Sequence, residues 1–251
     1  MSTDLDPRRH LPLAGTFNTR DIGGYTTAAG RQTRWGVYLR SDSLHRLSDA
    51  DRGRLLDYGL RTVIDLRRSA EMQQELNVFF GSSEVTYCHH NMVGDIPMPE
   101  RQTPPGLEEV ERKRWGYSAV LDKREAAVRD TLSALAAPEA LPALIHCAGG
   151  ADRTGLITAL ALGLAGVSYE TIADDYALTA RFNLPRYLER HPEVNPATYT
   201  WRDFQRDTCS SGVMLGVLRD LDLRYCGVEG YALHIGVRPA EIAALRDALV
   251  E

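Results

Sequence analysis

Residues 143–166 read ALIHCAGGADRTGLITALALGLAG and contain three patterns in succession. The first five residues, ALIHC, are mostly apolar and form a short run, as a buried strand does. A glycine-rich turn follows, and from Arg153 the segment is apolar on nearly every side until Gly166, which is typical of a helix packed against a sheet. Strand, turn and buried helix in this order predict an α/β fold, with a central, mainly parallel sheet flanked by helices.

The sequence on either side of this stretch also alternates strand and helix patterns. Ser48 can cap a helix that ends before Gly59, and the residues after Gly59 read as a buried strand that ends near Asp65. Pro239 suits the first turn of a final helix. The predicted strands are 60–66, 85–90 and 143–147, and the predicted helices are about 49–58, 107–137, 153–166, 169–181 and 239–250.

The composition agrees with one globular domain. The chain has 251 residues, of which 43% are apolar and 25% charged, and no stretch has the composition of a linker. We therefore predict a single domain over 1–251. Prolines and aromatic residues gather in two regions between the predicted elements, and we expect lid segments within 91–118 and 182–211.

Charge and hydrophobicity exclude several classes of protein. The net charge of -5, with acids and bases scattered, gives no electrostatic footprint for nucleic acid. The longest apolar stretch without a charge, 154–169, is shorter than the roughly 20 residues that cross a bilayer, and the first residues lack the apolar run of a secretory peptide. Four cysteines without C-x-x-C spacing are expected as reduced thiols. We expect a cytoplasmic protein with no nucleic-acid partner, and its oligomeric state stays open.

The ten residues HCAGGADRTG, 146–155, predict a phosphate site. Small residues leave the backbone amides of the turn unobstructed, and the start of the following helix adds partial positive charge. The expected phosphate-binding amides belong to Ala148, Gly149, Gly150, Ala151, Asp152 and Arg153. The planar guanidinium of Arg153 can hold two phosphoryl oxygens at once.

Cys147 stands at the base of this turn. A lone cysteine at a strand end is usually a buried structural residue. Here the C-x5-R spacing coincides with a glycine-rich turn, a preceding strand and a following helix, and the amides together with Arg153 favour a thiolate. We therefore expect Cys147 to be a nucleophile that faces a clamped phosphorus atom.

The loop resembles the C-x5-R loop of cysteine-dependent phosphatases, and the wider chain resembles the bacterial atypical tyrosine phosphatases. The resembling segments are GTFNTRDIGGY (15–25), GVYLRSDSLHRLS (36–48), GLRTVIDLRRSAE (59–71), the loop itself, DDYALTARFN (174–183) and YCGVEGYALHIGV (225–237). The resemblance implies the phosphatase α/β sandwich, with Cys147 as the nucleophile and Arg153 as the phosphate clamp. It also places Asp65 where the family has its proposed general acid.

The loop departs from this family at two positions. The family usually has HCxAGKDRTG, with a lysine where this chain has Ala151 and an alanine where it has Gly149. In the resemblance, that lysine accompanies activity on phosphoinositides as well as on phosphoproteins. Loss of one cation weakens attraction for substrates with several phosphates more than for a monoester. We therefore favour phosphotyrosine-type monoesters.

Covalent catalysis by Cys147 needs an acid to protonate the leaving group, and three aspartates are candidates. Asp65 is preferred because ligands of open α/β sheets gather at strand C-termini, with an ion pair to Arg67 as its structural alternative. Asp152, inside the loop, comes second, with a structural acceptor as its alternative. Asp95 would act only if its loop closed over substrate.

Several residues outside the nucleophile, the arginine clamp and the acid candidates have auxiliary or structural roles in this prediction. Thr154 can hydrogen-bond the thiolate or cap the helix, and His146 is expected to be buried and to orient the loop. Arg20 and Asp21 are expected to pair with each other or bind backbone, with substrate contact as the alternative, and Arg40 and Asp42 are read in the same way. Adjacent side chains on a strand point to opposite faces, so a metal site is not expected at Cys88, His89 and His90.

The sequence thus predicts a cysteine-dependent phosphatase that needs no metal or cofactor. Its substrates are expected to be phosphorylated proteins, with phosphotyrosine first and phosphoserine or phosphothreonine as extensions, or small phosphomonoesters. One alternative is a phosphatase of phosphoinositides or other small molecules. The other is a phosphate-binding module without turnover.

Overall fold

A five-stranded sheet forms the centre of the structure. The computed structural model describes residues 5–95 and 106–251 of the chain. The strands are β1 (Arg20–Asp21), β2 (Tyr38–Ser41), β3 (Thr62–Asp65), β4 (Thr86–His89) and β5 (Ala143–His146), and their order in the sheet is β1-β2-β5-β3-β4. Only β1 is antiparallel to its neighbour, and the other strands run parallel. This confirms the α/β fold with a mainly parallel sheet.

Helices cover both faces of this sheet. They are α1 (Asp49–Asp57), α2 (Ser69–Gln74), α3 (Glu109–Lys123), α4 (Glu125–Ala136), α5 (Asp152–Leu164), α6 (Tyr169–Arg190), α7 (Trp201–Thr208), α8 (Ser211–Tyr225), α9 (Val228–His234) and α10 (Pro239–Leu249). None of the helices in the described ranges is both long and apolar enough to cross a membrane.

Two hydrophobic clusters lie on the two faces of the sheet, and successive side chains of each buried strand enter one cluster and then the other. Leu144 of β5 packs with Leu39 and Val63 on the side of α1. The next residue, Ile145, packs on the opposite side, where the large cluster of α4, α5, α8 and α10 lies. Successive strand residues point to opposite faces, so a strand with helices on both sides is apolar throughout.

The parallel strands end together at one edge of the sheet. His146 at the end of β5 is in register with Ser41 of β2 and Asp65 of β3, and Asp65 is in register with His89 of β4. The loop that follows β5 therefore lies at the carboxyl edge, where open α/β sheets bind their ligands.

Several predicted helices are confirmed. In α1, the Ser48 hydroxyl accepts a hydrogen bond from the Asp51 amide, and Gly59 has the left-handed φ of +91°. Gly166 after α5 has φ +83°, and α10 begins at Pro239. These ends depend on local side-chain and glycine chemistry, which a sequence displays directly.

Two helix boundaries differ from the predictions. The stretch 107–137 is two helices, which meet at Arg124, whose φ of −122° lies outside the helical region. Helix α6 continues through Pro185 to Arg190 rather than ending at 181. Tertiary contacts outweigh the proline here, because Tyr187 packs its ring 4.7 Å from that of Phe204 in α7.

The two lid segments contain helices where the structure describes them. Residues 106–118 include the first part of α3, and 182–211 include the end of α6, all of α7 and the first residue of α8. Residues 96–105 of the first segment lie outside the described residues. The assignment of these segments as lids stays a prediction.

Candidate active site

Cys147 follows β5 directly and is buried, with 2% of its surface exposed. The chain then turns through residues 148–151 and enters α5 at Asp152. Gly150 permits this turn, because its φ is +64° and an added Cβ would lie 2.5 Å from the carbonyl oxygen of Ser41. The loop thus joins a buried strand end to a helix N-terminus, an arrangement that suits an anion.

Three successive carbonyl oxygens of the loop each accept two hydrogen bonds from the surrounding protein. The pairs are Ala148 O with Arg186 Nη1 (2.7 Å) and the Ser43 amide (3.2 Å), Gly149 O with Asn183 Nδ2 (2.8 Å) and Asn18 Nδ2 (3.2 Å), and Gly150 O with Arg40 Nη2 (2.8 Å) and Asn18 Nδ2 (3.2 Å). The backbone amides of 148–153 have no acceptor within residues 5–95 and 106–251. These N–H groups are therefore available to a bound anion.

Arg153, near the start of α5, is held by Glu71 of α2. Nη1 of Arg153 donates to Oε2 of Glu71 at 2.6 Å, and Nη2 donates to Oε1 at 3.1 Å. Burial alone would lower the pKa of Arg153, but Cys147 and Glu71 raise it above its ordinary value, so the guanidinium is cationic. Glu71 occupies two of the five N–H groups, and the other three can bind the oxygens of an anion.

Asp65, expected as the general acid, is fully buried at the end of β3. Its carboxylate accepts hydrogen bonds from Arg67 Nη2 at 2.7 Å and Tyr87 Oη at 2.8 Å. Burial alone would raise the pKa of Asp65, but His146 and Arg67 outweigh burial and hold the pKa well below its usual range. These surroundings disfavour the expected role, because an enclosed and ionised carboxylate has no proton to deliver. The ion pair with Arg67, its structural alternative, is present.

His146 is buried, and its ring bonds to neighbours on both sides. Nε2 lies 2.7 Å from Asn77 Nδ2, and Nδ1 lies 3.3 Å from the carbonyl oxygen of Cys147. Burial lowers the pKa of His146 to about 4, so the ring is neutral at neutral pH. This position agrees with a residue that orients the start of the loop rather than with a base.

Asp152 differs from Asp65 in that its side chain is 54% exposed. Tyr117 of α3 donates a hydrogen bond to Oδ1 of Asp152, and Lys113 Nζ lies 3.2 Å from the same oxygen. Burial alone would lower the pKa of Lys113, but Tyr176 and Asp152 raise it above its ordinary value, which keeps the ammonium charged. The loop aspartate is therefore accessible and has a proton donor and a cation as neighbours.

A cavity of about 300 Å³ lies beside Asp152 and Arg153. Its apolar wall consists of Val93, Val120 and Leu156. The polar part of its lining consists of Arg68, Glu71, Tyr117, Asp152 and Arg153. A cavity that combines an apolar wall with a guanidinium and a carboxylate can take a flat ring that bears an anionic group.

The remaining candidates are placed as follows. Asp95 accepts hydrogen bonds from the Ser69 hydroxyl (2.7 Å) and amide (3.0 Å), which hold the pKa of Asp95 below its usual value at the start of α2. Thr154 is buried in α5, and its hydroxyl has no hydrogen-bond partner in the described part of the chain. Ala151 is the N-cap of α5 and no side chain of the described residues caps this helix, so the expected capping role of Thr154 is wrong, and its hydrogen bond to the thiolate stays a prediction.

Arg20 and Asp21 do not pair with each other, but each binds backbone, which was the other half of the expectation. Arg20 and Arg40 both bind Asp175 of α6, at 3.3 Å from Arg20 Nε and 2.6 Å from Arg40 Nη1. Asp21 accepts hydrogen bonds from Tyr58 and from the Gly36 amide instead. Arg40 does bind backbone, as expected, at Gly150 of the loop.

His89, the last residue of β4, and His90, which follows it, bind separate partners. His89 Nε2 lies 2.8 Å from the carbonyl oxygen of Arg67, and His90 Nδ1 lies 3.0 Å from Thr131 Oγ1. Among the residues that the structure describes, no group of three potential ligands lies close enough to hold a metal ion.

Sequence reasoning missed several residues that the fold brings to the loop. They are Asn18, Glu71, Lys113, Tyr117, Asn183 and Arg186. The resembling segments contain Asn18, Glu71 and Asn183, which was the available signal for those three. Lys113, Tyr117 and Arg186 fall in regions without a matching motif, so no sequence pattern pointed to them.

The chain is similar in sequence to known tyrosine phosphatases. The tyrosine phosphatase family model matches residues 11–251. A tyrosine-protein phosphatase of Nostoc commune is 29% identical over 229 residues, which cover 85% of this chain and 74% of that protein. A putative tyrosine-protein phosphatase of Cupriavidus necator is 32% identical over 180 residues, 70% of this chain and 64% of that protein.

A more distant relative and one solved structure complete the comparison. The triple specificity protein phosphatase PtpB of Mycobacterium tuberculosis is 25% identical, over 96% of this chain and 99% of that protein. The crystal structure of P. aeruginosa TpbA covers 86% of this chain and 96% of its own, with 16% identity and a TM-score of 0.36. Because the family model spans nearly the whole sequence, the chain belongs to the tyrosine phosphatase family.

Proposed function

We propose that this protein is a cysteine-dependent phosphatase that hydrolyses phosphotyrosine monoesters through a phosphocysteine intermediate. The observation that carries the proposal is the loop after β5. There Cys147 lies beneath amides without a protein acceptor, and Arg153 is held at the side by Glu71. Amides and a guanidinium in this arrangement fit a tetrahedral dianion and the charge that develops on it.

In the first step, the thiolate of Cys147 attacks phosphorus in line with the leaving oxygen. The P–S bond forms as the P–O bond to tyrosine breaks, and the electron pair goes to the phenolic oxygen. A neighbouring carboxylic acid protonates that oxygen as it leaves. The loop amides and Arg153 hold the three remaining phosphoryl oxygens throughout.

In the second step, water attacks the phosphocysteine. The same carboxylate, now ionised, accepts the proton of the water, the P–O bond forms and the P–S bond breaks. Inorganic phosphate and the thiolate of Cys147 are the products. The buried hydroxyl of Thr154 is available to donate a hydrogen bond to the departing sulfur.

We assign the acid to Asp152 rather than to Asp65. Its side chain is exposed and lines the cavity beside Arg153, whereas Asp65 is enclosed by Arg67 and Tyr87. Tyr117 donates a hydrogen bond to the Asp152 carboxylate at the edge of this cavity. Asp95 is kept ionised at the start of α2 by Ser69 and is the weakest of the three candidates.

The cavity favours an aryl phosphate over other monoesters. An apolar wall of Val93, Val120 and Leu156 is suited to a tyrosine ring, which gains more from apolar contact than a serine or threonine side chain does. Phosphoserine and phosphothreonine are proposed as slower substrates. Phosphoinositides remain a weaker candidate, because Ala151 removes a loop cation and the ammonium of Lys113 is paired with Asp152.

We also propose that the protein acts in the cytoplasm. A catalytic thiolate needs a reducing compartment, and all four cysteines are free. The proposed reaction uses no metal or cofactor from that compartment. Partners other than phosphorylated substrates are not part of the proposal.

The test is hydrolysis of para-nitrophenyl phosphate and of a phosphotyrosine peptide by the purified full chain. We expect turnover that vanadate inhibits and chelators do not affect, and that Cys147→Ser abolishes. A trapping experiment with acid quench and mass spectrometry should find one phosphate on Cys147. Phosphate binding without product, measured by calorimetry on a folded protein, would overturn the enzyme assignment. A panel with phosphoserine peptides and phosphoinositides ranks the substrates by kcat/KM.

A further inference from the structure

We propose that four side chains are positioning residues for the phosphate-binding loop, residues 148–153: Asn18, Arg40, Asn183 and Arg186. They donate hydrogen bonds to carbonyl oxygens of the loop and thereby orient its N–H groups towards the phosphate. The inference rests on the proposed function of the loop. It adds a role to four side chains, none of which is expected to touch the substrate. Two of them, Asn183 and Arg186, belong to helix α6 and support the loop from that helix.

The planar peptide group fixes each carbonyl relative to the amide of the next residue. In a trans peptide the C=O of one residue and the N–H of the next point in opposite directions. A donor that holds the carbonyl of Ala148, Gly149 or Gly150 therefore also orients the N–H of the following residue. Because each of these carbonyls has two donors, the N–H groups of Gly149, Gly150 and Ala151 are oriented before any anion arrives.

Preorganisation matters because the loop has little stiffness of its own. Glycines at 149 and 150 leave the backbone free to adopt many conformations, and ordering them costs conformational entropy. Hydrogen bonds from the rest of the fold order the loop backbone when the protein folds, so binding of phosphate does not have to order it. The bound phosphate then encounters N–H groups that need no rearrangement.

The donors are themselves fixed by burial and by further hydrogen bonds. Arg40 is fully buried and shares Asp175 with Arg20, and Arg20 in turn donates to the side-chain oxygen of Asn18. Two guanidinium groups thus share one carboxylate behind the loop, which leaves an excess positive charge there. A cationic donor on a carbonyl also polarises the peptide group and strengthens its N–H as a donor on the other side.

Helix α6 supplies the other two donors from one turn. Asn183 and Arg186 are three residues apart and therefore share a face of the helix, and they hold Gly149 O and Ala148 O. Arg186 also lies 3.7 Å from Asp42, so its guanidinium is fixed at two points. Helix α6 runs through Pro185 at this turn, and its continuation to Arg190 is what brings both donors to the loop.

The test compares two arginines of this helix that are one turn apart. Arg186→Ala removes a donor to the loop, whereas Arg190→Ala removes the same charge from an exposed residue that has no hydrogen bond or ion pair to the loop. Asn183→Ala removes a neutral donor and tests hydrogen bonding without a change of charge. The readouts are inhibition by orthovanadate, the midpoint pH of Cys147 alkylation by iodoacetamide, kcat and KM, and the thermal midpoint.

We expect Asn183→Ala and Arg186→Ala to weaken vanadate inhibition by about tenfold or more and to move the alkylation midpoint to higher pH, since each leaves one loop carbonyl with a single donor. Arg190→Ala is expected to stay within about twofold of the wild type in both readouts, because a solvated surface charge contributes little. Arg186→Lys, which keeps one charged donor, is expected to recover part of the loss.

Two outcomes would overturn the inference. If folded Arg186→Ala and Asn183→Ala bind vanadate and titrate as Arg190→Ala does, the donors do not position the loop. If Asn183→Ala does not fold, Arg186→Ala with its partly exposed side chain decides alone. A wild-type protein that neither binds vanadate nor turns over aryl phosphate would instead refute the proposed function, which distinguishes the two failures.

Discussion

Glu71 and Arg153 are joined by two parallel hydrogen bonds, with Nη1–Oε2 at 2.6 Å and Nη2–Oε1 at 3.1 Å. A pair with this geometry fixes both the position and the plane of the guanidinium. The carboxylate therefore decides which way the remaining N–H groups of Arg153 face.

We expect Glu71→Gln to lower kcat/KM for para-nitrophenyl phosphate by about tenfold to a hundredfold, because an amide keeps only one acceptor oxygen and loses the charge. Steady-state kinetics at fixed pH measures the effect. The control is Glu229→Gln, which breaks an exposed pair with Arg246 at 2.7 Å. Equal kinetics for the two variants would mean that Arg153 needs no help from Glu71.

Asp152→Asn is expected to show a dependence on the leaving group. Without an acid, kcat/KM for phenyl phosphate, which reports the steps up to formation of the phosphocysteine, falls by roughly 10² to 10⁴, whereas kcat/KM for para-nitrophenyl phosphate, whose phenolate leaves without a proton, is affected much less. The basic limb of the pH–rate profile for phenyl phosphate is expected to disappear as well. Asp65→Asn serves as the comparison, and a selective loss there would return the acid to Asp65.

Two adjacent glycines are expected to respond differently to alanine. At Gly150 a Cβ would lie 2.5 Å from the Ser41 carbonyl and the φ of +64° is unfavourable, so Gly150→Ala is expected to abolish activity or folding. At Gly149 a Cβ would meet only Asn183 Nδ2, at 4.0 Å, so Gly149→Ala is expected to remain active. Kinetics and thermal midpoints of the two variants check this, and an inactive Gly149→Ala would contradict the loop geometry.

Burial of His146 is expected to lower the stability of the folded protein at acidic pH. The ring is neutral in the folded protein with a pKa of about 4, against 6.5 as the ordinary value, so the unfolded chain binds a proton that the folded one does not. The free energy of unfolding is therefore expected to fall as pH drops from 6.5 towards 4, by about 3 kcal/mol from this group. Urea unfolding at several pH values measures the slope. His146→Gln is expected to flatten it, and an unchanged slope would assign the loss to other groups.

The sequence predicted the centre of the fold well, because those features are local. ALIHC is apolar enough to indicate a strand, Gly166 ends the next helix, and Ser48 caps α1. Strand β2 was not predicted, since Arg40 and Ser41 are polar. Their burial depends on partners far along the chain, Asp175 for Arg40 and Thr19 for Ser41.

Only the part of the candidate site that lies on one continuous segment could be predicted from the sequence. The C-x5-R spacing predicted that Cys147 and Arg153 belong to one site, because the seven residues from 147 to 153 lie on one loop and carry that information. The choice of acid depended on which aspartate is enclosed, and that is decided by Tyr87 and Arg67 around Asp65 and by open space beside Asp152. Such differences of environment arise only when separate segments meet.

The chain holds three tryptophans, and two of them, Trp115 and Trp201, fall in the lid segments predicted within 91–118 and 182–211. The third, Trp35, packs against the backbone of Gly23 and Gly24 near the start of the chain. Tryptophan fluorescence is thus an intrinsic probe of these two segments. In a Trp35→Phe protein, an emission change on adding vanadate is expected from Trp115 or Trp201 if these segments act as lids, and unchanged emission would count against that prediction.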